Sequence, residues 1–212
     1  MHTDFKQELN EQQLQVVLET ERPLLVLAGA GSGKTRSLIY RCAWLIKEKK
    51  VPPKNILMVT FTNKAAKELQ ERLQNILGYS VQNLWVGTFH HICTRILRNE
   101  ASFLPFRQNF SIYDENNQLS LLKKIYKEHS LDRERFPLQP VLNRISSYKN
   151  RLLLPEDLNE YNLEISMENY KLDRMVPKIY ELYQQNLLQN NALDFDDLLL
   201  YTAKLLQKNE LV

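Results

Sequence analysis

The eight residues from Ala28 to Thr35, AGAGSGKT, hold the densest chemistry in the chain. The 212 residues include only five glycines, and Gly29, Gly31 and Gly33 fall within this run. Average usage would give roughly fifteen. A chain that avoids glycine elsewhere concentrates it where the backbone must adopt conformations closed to side chains, or approach a ligand closely. The run matches the last three places of the G-x-x-x-x-G-K-[ST] pattern and carries Ala28 where the first glycine is usual. An apolar run precedes it and a helical pattern follows. In that setting the N–H groups of Gly29, Ala30, Gly31, Ser32 and Gly33 can curl around phosphate oxygens at a helix N-terminus. Lys34 then reaches the β and γ phosphates of a nucleotide, and the Thr35 hydroxyl ligates Mg²⁺. The alternative is a glycine-rich turn that binds nothing.

The elements that must position this loop are readable on either side of it. Residues 24–29, LLVLAG, predict a buried strand of a parallel sheet. From Lys34 to about Glu48, residues Leu38, Ile39, Cys42, Leu45 and Ile46 recur at helical spacing, and Pro52-Pro53 close the segment. Residues 56–61, ILMVTF, repeat the strand pattern. A second amphipathic helix follows, with Ala66, Leu69, Leu73, Ile76 and Leu77 on one face and Gly78 just beyond it. A third strand near Leu84–Thr88 leads into a helix containing Ile92, Ile96 and Leu97. After Pro105 helical patterns replace strand-like runs, with Leu119, Leu122 and Tyr126, then Val176, Ile179, Tyr183 and Leu187. Residues 113–187 therefore read as a helical unit, and ALDFDDLLLYTAKLL as a capped helix after which the chain stops without a closing strand.

In a parallel sheet, the segments leaving the carboxyl ends of the strands share one edge, where ligands of open α/β sheets bind. Besides the glycine-rich loop, two such segments emerge: Thr60-Phe61-Thr62-Asn63-Lys64 and Gly87-Thr88-Phe89-His90-His91. Hydroxyl, amide and imidazole groups beside an aromatic ring suit the holding of a sugar-phosphate backbone and the stacking of a base. The competing reading makes Phe61 and Phe89 core residues and has Thr62 and Asn63 cap a helix. A metal site at His90-His91 is set aside, because no carboxylate or cysteine is spaced to join them.

Composition bounds these readings. At 43% hydrophobic and 25% charged, the chain has globular composition, and no apolar run approaches the roughly 20 residues that span a bilayer. The polar start, MHTDFKQELNEQQ, lacks the apolar stretch of a signal peptide, which predicts a cytosolic protein. Cys42 and Cys93 have no CxxC or Cys/His spacing, against a disulfide framework or structural zinc. Net charge is +3, distributed as +6 over residues 1–112, −1 over 113–187 and −2 over 188–212. A basic first half is compatible with a polyanionic partner.

Several of these segments together resemble the amino-terminal motor of UvrD/PcrA/Rep-type superfamily 1 DNA helicases, over nearly the whole chain. Leu9-Asn10-Glu11-Gln12-Gln13 resembles the adenine-recognising Q motif, LNxxQ, which implies that the Gln13 amide reads the adenine edge. AGAGSGKTR resembles motif I, including the alanine at its first place, and implies that Arg36 lies beside the adenine. VTFTNKAAKELQERL resembles motif Ia and GTFHHICTRILR motif Ib, both contacts to single-stranded DNA in the family. That implies DNA-binding roles for Phe61, Thr62, Asn63, Thr88, Phe89 and His90. FSIYDENNQ and NNALDFDDLL resemble the exit into, and return from, a helical insertion.

The resemblance implies an α/β, P-loop NTPase (RecA-like) fold: a parallel sheet flanked by helices, with an inserted all-α subdomain. Domain 1A would occupy residues 1–112, helical insertion 1B residues 113–187, and the return to 1A residues 188–212. It implies ATP and Mg²⁺ as cofactors, and single-stranded DNA and duplex junctions as substrates, unwound 3′ to 5′ in replication or repair. It brings repair or replication proteins as partners, and no membrane. The family's acidic DExx motif, its glutamine and arginine sensors and its second RecA-like domain do not occur before Val212. The expectation is thus an amino-terminal piece of a longer helicase, which binds nucleotide but hardly turns it over.

Two carboxylate groups bear on that expectation. Asp194, Asp196 and Asp197 precede an apolar run and fit a helix N-terminus, where negative charge offsets the dipole. Ile112-Tyr113-Asp114-Glu115 runs a strand-like stretch into Asp-Glu, and beside the first strand it would complete a small self-sufficient P-loop ATPase or kinase. A third possibility is a helical protein-interaction module that uses residues 113–187 as a docking surface.

Overall fold

The computed structural model describes residues 5–159 and 170–208, so residues 160–169 of the expected helical insertion lie outside the described residues. The chain divides into two compact units, residues 1–92 and 93–212. In the first, the short helix α1 (Phe5–Glu8) is followed by α2 (Glu11–Leu18), the long α3 (Lys34–Lys47), strand β1 (Leu57–Thr60), α4 (Asn63–Leu77), strand β2 (Trp85–Thr88) and the start of α5 (Phe89–Asn99). Each boundary has a local cause. Asn10 caps α2 by accepting from the Gln13 N–H at 2.8 Å, while the Gln13 side chain accepts from the Asn10 N–H at 3.3 Å, a reciprocal capping box. Thr62 caps α4 by accepting from the Ala65 N–H at 3.1 Å, and Gly78 ends it in the left-handed region.

Strands β1 and β2 pair in parallel, with Thr60 opposite Thr88 at their carboxyl ends. The apolar faces of α3 and α4 meet the sheet in one core that includes Ile39, Ala43, Ile46, Met58, Leu69 and Leu73. The predicted strand over residues 24–29 does not form: it pairs with neither β1 nor β2, and Leu25 and Leu27 are 81% and 86% exposed. A buried parallel strand needs a ladder partner and cover on its faces. An apolar run records the need for these without supplying them.

The second unit contains the rest of α5, strand β3 (Ser111–Tyr113), α6 (Glu115–Glu128), α7 (Leu138–Asn150), α8 (Tyr170–Gln189), strand β4 (Ala192–Asp194) and α9 (Phe195–Lys208). Its helices enclose a core of Leu122, Ile125, Val141, Ile145, Val176, Ile179, Tyr183 and Leu187. Strand structure is therefore not absent beyond Pro105, since β3 and β4 pair in parallel and join the segments predicted as exit and return. Asp114 accepts from the Asn117 N–H at 2.8 Å and caps α6. Within this unit β3 therefore runs from its ladder with β4 straight into the Asp114 cap.

Candidate nucleotide site and nucleic-acid interface

The glycine-rich loop leads directly into α3. Gly31 and Gly33 hold φ values of +75° and +86°, in the left-handed region that side chains disfavour by roughly 1–2 kcal/mol. Gly33 is the N-cap of α3, and no side chain caps that helix. The first-turn amides, which have no acceptor within the helix, are thus left to an anion or to water. A Cβ placed on Gly29 or Gly31 would meet nothing within 4 Å, so the loop borders open space. About 680 Å³ of open cavity lies between α2 and the run from Arg22 to Ala28 and reaches the loop at Ser32 and Lys34, a volume in the range of small-molecule sites.

Lys34 is exposed, and its Nζ donates to the carbonyls of Ala28 and Gly29, both at 2.7 Å. The Ser32 hydroxyl also donates to the Gly29 carbonyl, at 2.7 Å. Thr35, on the first turn, is exposed, as is Ala30 in the loop. Gln13 is drawn to the same place: its Nε2 donates to the Ser32 carbonyl at 3.1 Å, and a Cβ on Gly33 would come within 2.5 Å of that nitrogen. The structure thus gathers Gln13, the Ala28–Thr35 loop and the start of α3 at one place. Chemically, this is an ammonium, hydroxyls and a set of uncapped amides around an open loop, which suits a polyphosphate and an accompanying divalent cation.

Arg36 lies on the same first turn, its Cβ 3.9 Å from where a Cβ on Gly33 would sit. Its Nη2 donates to the backbone carbonyl and to Oε2 of Glu8, each at 2.7 Å, and its guanidinium carbon lies 5.2 Å from the Tyr40 ring centroid. Sequence reasoning missed Glu8 and Tyr40. The i,i+4 spacing of Arg36 and Tyr40 was a usable signal, because it places both on one helix face. Nothing in local spacing points to Glu8, which lies 28 residues away.

At the end of the β1–β2 ladder, the register carries Phe61 and Phe89 out side by side, with ring centroids 6.0 Å apart and planes 50° from parallel. Phe61 is 90% exposed and Phe89 48%, so neither is a core residue. Thr62 does cap a helix, whereas Asn63 is the exposed first residue of α4. The Thr88 hydroxyl accepts from the His91 N–H at 3.2 Å, and His90 is half-buried. This edge therefore offers an exposed aromatic pair beside polar groups, the equipment of a base-stacking surface.

The second unit holds a buried ionic cluster that the sequence did not announce. Lys149 on α7 lies 2.7 Å from Asp194 Oδ2 and 2.8 Å from Asp197 Oδ1, all three buried. The two aspartates also form a reciprocal cap at the start of α9, each accepting from the other's N–H, at 2.9 and 3.2 Å. Their predicted place at a helix N-terminus is correct. Their burial against a lysine is additional. Among the described residues no helix is long and apolar enough to cross a membrane.

The sequence matches the family model described as UvrD/REP helicase N-terminal domain over residues 9–212. It is similar to the ATP-dependent DNA helicase PcrA of Bacillus subtilis, with 46% identity over 200 residues that make up 94% of this chain and 26% of that protein. Similar too are the ATP-dependent DNA helicases PcrA of Staphylococcus epidermidis, 42% identical, and Staphylococcus aureus, 41% identical, each over 94% of this chain and 27% of the relative. The chain spans about a quarter of the length of these curated relatives. The matched span takes in the uncapped loop ahead of α3, the aromatic pair at the sheet edge and both strands of the second ladder, and the chain belongs to the UvrD/REP helicase N-terminal domain family.

Proposed function

We propose that the chain forms the nucleotide-gripping face and part of the single-strand track of an ATP-dependent DNA helicase that moves 3′ to 5′ in replication or repair. In this reading residues 1–112 are the first part of a RecA-like domain 1A, residues 113–187 are its inserted subdomain 1B, and residues 188–212 return to 1A. The observation that carries the proposal is the loop held open by Gly31 and Gly33 above the uncapped first turn of α3. The Gly29–Gly33 amides and Lys34 hold the triphosphate, Gln13 and Arg36 meet the adenine, and Thr35 is the hydroxyl ligand for Mg²⁺. When bound, Mg²⁺ neutralises phosphate charge. Phe61 and Phe89 stack bases of the single strand, while Thr62, Asn63, Thr88 and His90 take its backbone. Single-stranded DNA, duplex junctions and repair or replication proteins are the proposed partners, in the cytosol.

Titration of the 212-residue chain with Mg-ATP tests the nucleotide half: saturable binding is expected, and no binding at millimolar nucleotide would overturn it. The DNA half is tested by the fluorescence anisotropy of a labelled single-stranded oligonucleotide. Binding should weaken as salt rises, because phosphate contacts release counterions. Stacking is worth about 1–3 kcal/mol per base, so Phe61→Ala should weaken binding by roughly five- to a hundredfold. Its 90% exposure means that the fold should not suffer. Unchanged affinity in both Phe61→Ala and His90→Ala would remove the track assignment.

A further inference from the structure

We propose that Glu8 is a positioning residue, which sets the Arg36 guanidinium as a flat platform for a purine ring; the proposal rests on the reading that Arg36 lies beside the base. Both contacts made by Arg36 Nη2 go to Glu8, one to its backbone carbonyl and one to Oε2, each at 2.7 Å. A terminal guanidinium nitrogen carries two hydrogens in the guanidinium plane. Committing both to two oxygens of one residue fixes that plane as well as its position.

The same carboxylate oxygen accepts from the Tyr40 hydroxyl at 3.2 Å, so Glu8 orders Tyr40 too. The Tyr40 ring lies 5.2 Å from the guanidinium carbon, a cation–π contact that occupies one side of the cation. The Arg36 side chain nevertheless keeps 45% of its surface exposed. A planar cation backed by one ring and open elsewhere suits a second flat ring, and arginine stacks on aromatic systems more readily than lysine does. An unrestrained arginine would lose rotamer freedom when the base arrived. With Glu8 in place, that ordering is complete beforehand.

An alternative role for Glu8 is a tether that joins α1 to α3 with no effect on the ligand. The two are separated by comparing the affinity of the 212-residue chain for Mg-ATP with its affinity for magnesium triphosphate, which has no base. The ratio of the two constants isolates the contribution of the nucleoside, and a mere tether would leave it unchanged. On the scale of an exposed ion pair, Glu8→Ala should shrink the preference for ATP by roughly 1.4- to fivefold, and Glu8→Gln by less. In an Arg36→Ala background, Glu8→Ala should shrink it no further. If Arg36→Ala lowers the preference while Glu8→Ala and Glu8→Gln keep it, Glu8 is a tether and the proposal fails. If Arg36→Ala itself keeps the wild-type preference, the assignment of Arg36 to the base fails instead.

Discussion

Replacing Lys149 with methionine should destabilise the protein by about 3–5 kcal/mol, the range found when one partner of a buried ion pair is removed. Typical domains have only about 5–15 kcal/mol in total. Lys149 is 1% exposed and Asp197 0%, so the two carboxylates left behind could not find water without opening the core. Burial works against the charge on Lys149, yet Asp197 and Asp194 outweigh it and hold the ammonium above its usual range. Further groups complete the cluster. Tyr183 donates to Asp194 Oδ2 at 3.0 Å, and Gln184 Nε2 donates to Asp197 Oδ1 at 3.1 Å. Urea unfolding of the single variant, and of a triple variant with Asp194→Asn and Asp197→Asn, separates the causes. Neutralising all three should recover part of the loss, because no uncompensated charge remains. A single-variant loss below about 1 kcal/mol would contradict the uncompensated-charge argument.

The same cluster sets a pH dependence whose sign is fixed. Burial, and then the charge of Asp194, push Asp197 up to about 7, with Lys149 only partly opposing them. In the unfolded chain an aspartate titrates near 3.9. The folded state therefore keeps this proton over a range in which the unfolded state releases it. The resulting stability is fully present below about pH 4, and is lost as the pH rises through about 7. Lys149 stays charged across that window. In urea titrations the wild type should lose stability between pH 4 and pH 7, and Asp197→Asn should remove that downward slope. Parallel curves for the two proteins would exclude Asp197 as its source.

The contrast between this cluster and the nucleotide loop shows what local sequence can and cannot carry. The loop was legible because its function depends on consecutive residues: Gly31 and Gly33 supply left-handed backbone, Lys34 the charge, and the helix begins at once. Helices α3 and α4 were legible for the same reason, since their apolar spacing, the Thr62 cap and the Gly78 stop are all local. The Lys149–Asp194 pair joins positions 45 residues apart, and no local pattern distinguishes a buried lysine from a solvated one. Strands β3 and β4 have three residues each, too few for a period to show. Residues 24–29 failed in the opposite way. Their apolar character is real, but hydrophobicity does not say whether a ladder partner is present. The choice between core and surface for Phe61 and Phe89 was likewise decided by register, which brings both to the end of one ladder.

Lys34→Ala is the variant expected to affect nucleotide binding most. The ammonium now donates to two neutral carbonyls, those of Ala28 and Gly29. A triphosphate oxygen is a better acceptor than either, because its charge shortens and strengthens the bond. Hydrogen bonds to charged groups are worth about 1.5–3 kcal/mol, so the variant should bind Mg-ATP roughly ten- to a hundredfold more weakly by isothermal titration. Folding should be nearly unaffected, since the side chain is exposed and is released from loop carbonyls that water can reach. Lys34→Arg probes a different property. It keeps the charge but replaces a compact ammonium with a wide planar fork, and the carbonyls of Ala28 and Gly29 close around a single nitrogen. If position matters as much as charge, arginine should restore only a small part of the affinity. Full restoration would assign Lys34 to general attraction, and equal affinities for wild type and Lys34→Ala would remove the loop from nucleotide binding altogether.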